Sequence, residues 1–144
     1  MNEIDRLLIE RACERVIVDS ARFNDRREFS ALAALYTTDG LVVRPNGQRL
    51  EGRVAIEAAY AAGPPDRVTR HLCSNVRVEV DGPDAARATT AVLIVSGQRS
   101  DDPDAPFGVL PSERHMVGEF ADRLVRTEDG WRIAERHATL AMTT

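Results

Sequence analysis

The sequence predicts an α+β fold in which N-terminal helices cover a mainly antiparallel sheet. Two observations carry that prediction. Apolar residues in the first third of the chain recur every three to four positions, the period of a helix, whereas from Val68 onward they alternate every second position, the period of a strand. The helical patterns come first and the strand patterns follow, an order that segregates helices to one side of a sheet. A length of 144 residues makes a single domain over residues 1–144 the default and suffices for a core without staples.

The first helix is expected from about Glu3 to Asn24. Leu8/Ile9, Ala12/Cys13, Val16/Ile17 and Ser20/Ala21 form one apolar stripe, and Glu10, Arg11, Glu14 and Arg15 fill much of the other side. Asn24-Asp25 interrupts the pattern. A second helix, about Arg26 to Tyr36, follows through Phe29, Leu32 and Ala33, with Asp25-x-x-Glu28 as its capping box. Asp39-Gly40 reads as a turn before the short strand LVVRP, which Pro45 and Asn46-Gly47 end. A third helix covers about Arg53 to Ala62 and stops at Gly63-Pro64-Pro65. Val68–Val80 and Ala85–Ser96 then make a hairpin around Asp81-Gly82-Pro83-Asp84. Gly97–Pro111 is loop by composition. Glu113–Arg126 and Trp131–Met142, joined at Glu128-Asp129-Gly130, complete a four-strand antiparallel meander.

Composition narrows the chemistry. Nineteen basic residues against 23 acidic ones leave a net charge of −4, so no basic excess exists to neutralise nucleic-acid phosphates. All of the basic residues are Arg. Without a single Lys, Schiff-base chemistry, pyridoxal attachment and a phosphate-loop lysine are excluded. Cys13 and Cys73 are far apart, with no CxxC and no His at ligand spacing, and read as small buried thiols of a reducing compartment. The N-terminus carries charges from the start, and no apolar run reaches the length of a membrane span. A soluble cytoplasmic protein is the expectation. His71, His115 and His137 show no HxH or HxxxH spacing, and Ser100-Asp101-Asp102-Pro103-Asp104 lacks the spacing of a calcium loop, so neither a metal nor a cofactor is expected.

The order of elements and three phrases resemble the SnoaL-like branch of the nuclear transport factor 2-like superfamily. The phrases are FNDRREFSALAALYTTDG (residues 23–40), RHLCSNVRVEVDGPDAARATT (70–90) and GEFADRLVRTEDGWRIAERH (118–137). The resemblance implies a cone-shaped α+β barrel, a strongly curved sheet wrapped around helices that leaves a deep pocket. The superfamily includes dehydratases, isomerases, cyclases, hydrolases and non-catalytic binding domains, so the fold alone names no activity. In its scytalone dehydratase and lindane dehydrochlorinase members an Asp stands just before the second helix and a His opens the first long meander strand. The two meet in the pocket as a dyad. The resemblance places them at Asp25 and His71. Two departures stand out: Asn24 occupies the place of a Tyr in scytalone dehydratase, and Gly118 and Phe120 replace polar residues of the third long strand. That dehydratase's water-binding machinery is therefore not implied.

The chemistry of such a pair is independent of any family. A buried His is neutral because burial penalises its charged form, and an adjacent Asp fixes its tautomer and stabilises the imidazolium formed on proton abstraction. The pair serves elimination of water or halide, double-bond migration and cyclisation. Each candidate also has a structural reading. Asp25, taken on sequence alone, reads first as an N-cap, His71 as a polar strand end, Tyr60 as packing, Asn24 as a helix end and Trp131 as filler. Arg136 and His137 alternate, so one faces the pocket and the other faces away. Arg136 orients a carbonyl or anionic substrate, or is a solvated or interfacial arginine. Phe120 lines the apolar wall.

Three functions compete. The first is a cofactor-free lyase or isomerase acting through Asp25 and His71 on an apolar, oxygenated, cyclic molecule. The second is a non-catalytic ligand-binding or assembly subunit, like the beta subunits of ring-hydroxylating dioxygenases. The third is a two-carboxylate cyclase or hydrolase, for which Glu119 and Asp122 are candidate second acids. A homodimer is also expected, because Leu124, Val125, Ile133, Ala134, Leu140 and Ala141 put apolar residues on both sides of the last two strands.

Overall fold

Asn2 opens the first helix by accepting the Asp5 amide on its side-chain oxygen at 2.8 Å, and α1 runs from Glu3 to Asp25. A computed structural model describes residues 1–105, 107–109 and 115–144. The stripe read from the sequence is the buried face: Ile9, Cys13, Val16, Ile17, Ser20 and Ala21 are all inside. The helix closes in a Schellman motif, with the Arg27 amide on the Asn24 carbonyl and the Glu28 amide on the Phe23 carbonyl. That motif needs a left-handed residue one past the cap, and here it is Arg27, at φ 60°.

The second helix is shorter than expected. α2 spans Phe29–Ala34 and starts at Glu28 without any side-chain cap, so the capping box does not form; Asp25 belongs to the last turn of α1 instead. β1 (Tyr36–Val43) already begins where the second helix was expected to end. Asp39-Gly40 is not a turn but an irregularity within β1, where a Cβ on Gly40 would lie 2.9 Å from the Tyr36 Cβ. The edge strand β2 (Arg49–Glu51) and the helix α3 (Arg53–Ala61) follow. Arg53 ties α3 back, donating from Nε to the Tyr36 carbonyl at 2.8 Å and from Nη2 to the Ala34 carbonyl at 3.3 Å.

The remaining strands are β3 (Arg67–Gly82), β4 (Ala85–Arg99), β5 (Gly108–Val109), β6 (His115–Thr127) and β7 (Gly130–Thr143). β3, β4, β6 and β7 form the expected antiparallel meander. β1 joins β7 in parallel, which makes the sheet mixed, in the order β2-β1-β7-β6-β4-β3, with β5 on the end of β4. The sheet does not close, since β2 and β3 are its edges. Part of the expected 97–111 loop is therefore strand, and the expected start of the third long strand at Glu113 lies outside the described residues. α1 packs on β3 and β7, and Ile17, Tyr36, Ile56, Leu124 and Ile133 are fully buried between the layers. Trp131 joins this core. Among the described residues no helix is long and apolar enough to cross a membrane.

Two bulges decide which side chains face inward. In β3, Val76, Val78 and Val80 pack against the core, whereas before them it is Thr69, His71 and Cys73, of the opposite parity, that are half-buried, because Asn75 (φ 50°) is an extra residue between Ser74 and Arg77. In β7 the register slips between Ile133 and Glu135, so Ala134 is extra. Trp131 and Ile133 face in, and after the slip Arg136 faces in as well.

Candidate active site

Helix α1 and strand β3 bring Asp25 and His71 together across 46 residues of sequence. Asp25 Oδ1 lies 2.5 Å from His71 Nδ1, and both side chains are 11% exposed. Asp25 Oδ2 accepts the His71 backbone N–H at 2.9 Å, and Oδ1 also accepts the Thr69 hydroxyl at 3.1 Å. Burial pushes the Asp25 carboxyl up, but the ring and backbone N–H bonds from His71, its charge and the Thr69 hydroxyl together hold it below the usual value. The carboxylate sits in the last turn of α1, where the helix dipole disfavours negative charge. Nothing local to the helix favours an Asp there; its partners are all on β3.

His71 lines a cavity of about 370 Å³, and Asp25 stands behind it, out of the cavity lining. With Nδ1 donating to an ionised Asp25, Nε2 is the ring nitrogen left without a partner among the described residues, available to a ligand of the cavity that His71 lines. Asn24, Tyr60, Phe120 and Arg136 line the same cavity. His137 does not. It stands on the opposite face of the sheet beside Ala121 and Arg123, with Nε2 2.6 Å from Glu135 Oε1, because the Ala134 bulge turned Arg136 inward instead.

Arg136 is buried, and each of its three guanidinium nitrogens has a partner. Nε and Nη2 reach Asp122 Oδ1 and Oδ2 at 2.7 and 2.8 Å, Nη1 reaches Ser20 Oγ at 2.9 Å, and its carbon centre lies 4.1 Å above the Phe120 ring. Asp122, a candidate second acid, is thus committed to an ion pair. Glu119, the other, is exposed.

Among the site residues that the sequence reading did not offer is a buried tyrosine. Tyr36 is completely buried on the cavity wall, its hydroxyl beside the Arg136 guanidinium but in hydrogen-bond geometry with none of the described residues. Burial drives its pKa upward, with the nearby Arg136 charge opposing, so it is a protonated donor at neutral pH. Its position at an apparent helix end hid it. Among the described residues no group of three or more His, Cys, Asp or Glu is arranged to hold a metal ion.

The model of the SnoaL-like domain matches residues 5–137. The chain belongs to this SnoaL-like family. Solved structures share its fold at low identity. A scytalone dehydratase-like protein of Novosphingobium aromaticivorans DSM 12444 superposes with a TM-score of 0.84 at 24% identity, over 99% of this chain and 91% of that one. Hexachlorocyclohexane dehydrochlorinase LinA, type 2, gives 0.81 at 16% identity, over 99% and 92%. ActVI-ORFA of Streptomyces coelicolor gives 0.70 at 21% identity, over 90% and 95%. No curated protein matches the sequence. The SnoaL-like fold is therefore shared with scytalone dehydratase-like and dehydrochlorinase structures, which leaves the activity to be argued from the site.

Proposed function

We propose that this SnoaL-like protein is a cofactor-independent lyase or isomerase acting on an apolar, oxygenated, cyclic small molecule. His71 Nε2 removes a proton from carbon; the C–H electron pair forms the new double bond, and a leaving group departs or the proton returns at another carbon. Asp25 holds the tautomer and stabilises the imidazolium. Tyr36 donates to the substrate oxygen on which negative charge develops. Asn24, Tyr60, Phe120 and Arg136 shape the wall around the ring.

The observation that carries this reading is the 2.5 Å contact between Asp25 and the Nδ1 of a cavity-lining His71. A ligand-binding or assembly subunit has no need of a carboxylate held by three donors at the unfavourable end of a helix. The test is turnover of a panel of steroid and polyketide ketones, alcohols and halides by the wild type, Asp25→Asn and His71→Ala, beside thermal melts. Asp25→Asn is expected to fold and to lose roughly 10²–10⁴-fold in turnover. Full activity in that variant ends the proposal, and wild-type binding of panel compounds without conversion favours the binding subunit.

A further inference from the structure

The net charge is −4, yet arginines gather around one cavity. Arg27, Arg44 and Arg67 line it together with Arg136, and none of the described lining residues is an Asp or Glu. Arg136 is neutralised by Asp122. Among the described residues no ion pair neutralises the other three. Two of them are held by neutral groups instead. Arg27 Nη1 donates to the Pro64 carbonyl at 3.2 Å and its guanidinium lies 5.1 Å above the Phe29 ring. Arg44 Nη1 donates to Gln48 Oε1 at 3.3 Å and its guanidinium lies 5.0 Å above the Tyr60 ring. The two rings stack with centroids 6.5 Å apart, so cation, ring, ring and cation form one ladder on the cavity wall. The fork is positioned while its charge stays unspent.

The surface beside the cavity repeats the bias. An adjoining hollow shares Arg27 and Arg67 and adds Arg26, Arg70 and Arg99, against Asp25 and Glu28. Asp25 is committed to His71, and Glu28 pairs with Arg26 at 3.3 Å. Low-dielectric walls of one sign concentrate counter-ions. Arg27 adds an independent sign, since it holds a left-handed position that glycine fills at least cost. The backbone does not explain an arginine there.

We propose that the ligand of this cavity is a carboxylate-bearing ring compound, its carboxylate at the Arg27–Arg44–Arg67 end and its apolar body toward His71 and Phe120. The proposal rests on the cavity being the substrate site, as argued above. Arg67 and His71 lie four residues apart on one face of β3, about 13 Å between Cα atoms at 3.3 Å per residue. That separation keeps the bound anion off the imidazole and leaves one or two rings between them.

The test uses 1-naphthoate, 1-naphthamide and 1-naphthyl phosphate as probes, with affinities measured calorimetrically at low and high salt. None needs to be converted, so the outcome is independent of whether His71 acts as a base, which Asp25→Asn turnover decides separately. Naphthoate is expected to bind at least tenfold tighter than the amide at low salt, with the advantage shrinking at high salt. Arg67→Gln and Arg27→Gly should each cut naphthoate affinity several-fold and leave amide affinity unchanged. Arg27→Gly suits its backbone conformation, so misfolding does not blur the result. Equal affinities, no naphthoate binding, or an arginine effect shared by the amide overturns the proposal. Tighter binding of the phosphate than of naphthoate overturns the assignment to a carboxylate.

Discussion

Asp122 and Arg136 are register partners across β6 and β7, and their side chains meet on the inner face as a two-point ion pair, with Nε to Oδ1 at 2.7 Å and Nη2 to Oδ2 at 2.8 Å. Burial works against the arginine charge, but Asp122 more than compensates and raises the Arg136 pKa. Removing one member of a buried pair strands the other charge. Arg136→Met is expected to destabilise the fold by about 3–5 kcal/mol, and Asp122→Leu/Arg136→Met to recover most of that loss. Urea denaturation of the single and double variants measures both. A double variant as unstable as the single one would contradict this account.

Asp25 makes acid stability depend on pH in a definite direction. Its folded-state pKa is lowered, so its contribution is present above the ordinary carboxyl range near about pH 4 and is lost as pH falls through the lower folded value. The stability gap between wild type and Asp25→Asn should therefore be constant at neutral pH and narrow only in acid. Melting curves over that range check the sign.

Tyr36 separates stability from catalysis. Its buried hydroxyl has no partner among the described residues, so Tyr36→Phe relieves an unpaired polar group and should leave the melting temperature equal or higher. If the hydroxyl donates to substrate, kcat falls by roughly tenfold or more in the same protein. Unchanged kcat would assign Tyr36 to packing.

At Gly118 the constraint is steric. A Cβ there would lie 2.6 Å from the Thr139 carbonyl oxygen of β7. Backbone on a neighbouring strand has little room to yield, and Gly118→Ala is expected to cost about 1–3 kcal/mol. Chemical denaturation gives the value.

The outer face of the sheet carries an apolar row. Leu72, Leu93, Val117 and Met142 are successive register partners across β3, β4, β6 and β7, and Leu72, Leu93 and Met142 are 54%, 37% and 64% exposed. We expect a homodimer that covers this row. Light scattering should give twice the chain mass for the wild type and the monomer mass for Leu93→Glu; a monomeric wild type would refute it.

Long periodic elements were legible in the sequence because their periods are local. The α1 stripe from Ile9 to Ala21 and the paired strands of the meander needed no partner to be recognised. β1 was not legible. Its Asp39-Gly40 pair has turn chemistry, and only the parallel partner β7 makes it a strand interior. β2 and β5 are too short to show a period. In the site, the Asp25–His71 pairing came from resemblance, since no spacing rule links residues 46 apart. Which of Arg136 and His137 faces inward depends on one extra residue at Ala134, and parity counted from Trp131 and Ile133 points to the wrong one.

The end of α1 carries two anchors five residues apart: Ser20 reaches Arg136 on β7, and Asp25 reaches His71 on β3. Each further residue rotates a helix by about 100°. Inserting or deleting one residue between positions 20 and 25 would leave either anchor in phase but not both. Length changes before Ile9 or in the Asp81–Asp84 turn carry no such penalty. The site thus measures angular phase along a helix, and variation in this chain should be tolerated wherever that phase is preserved.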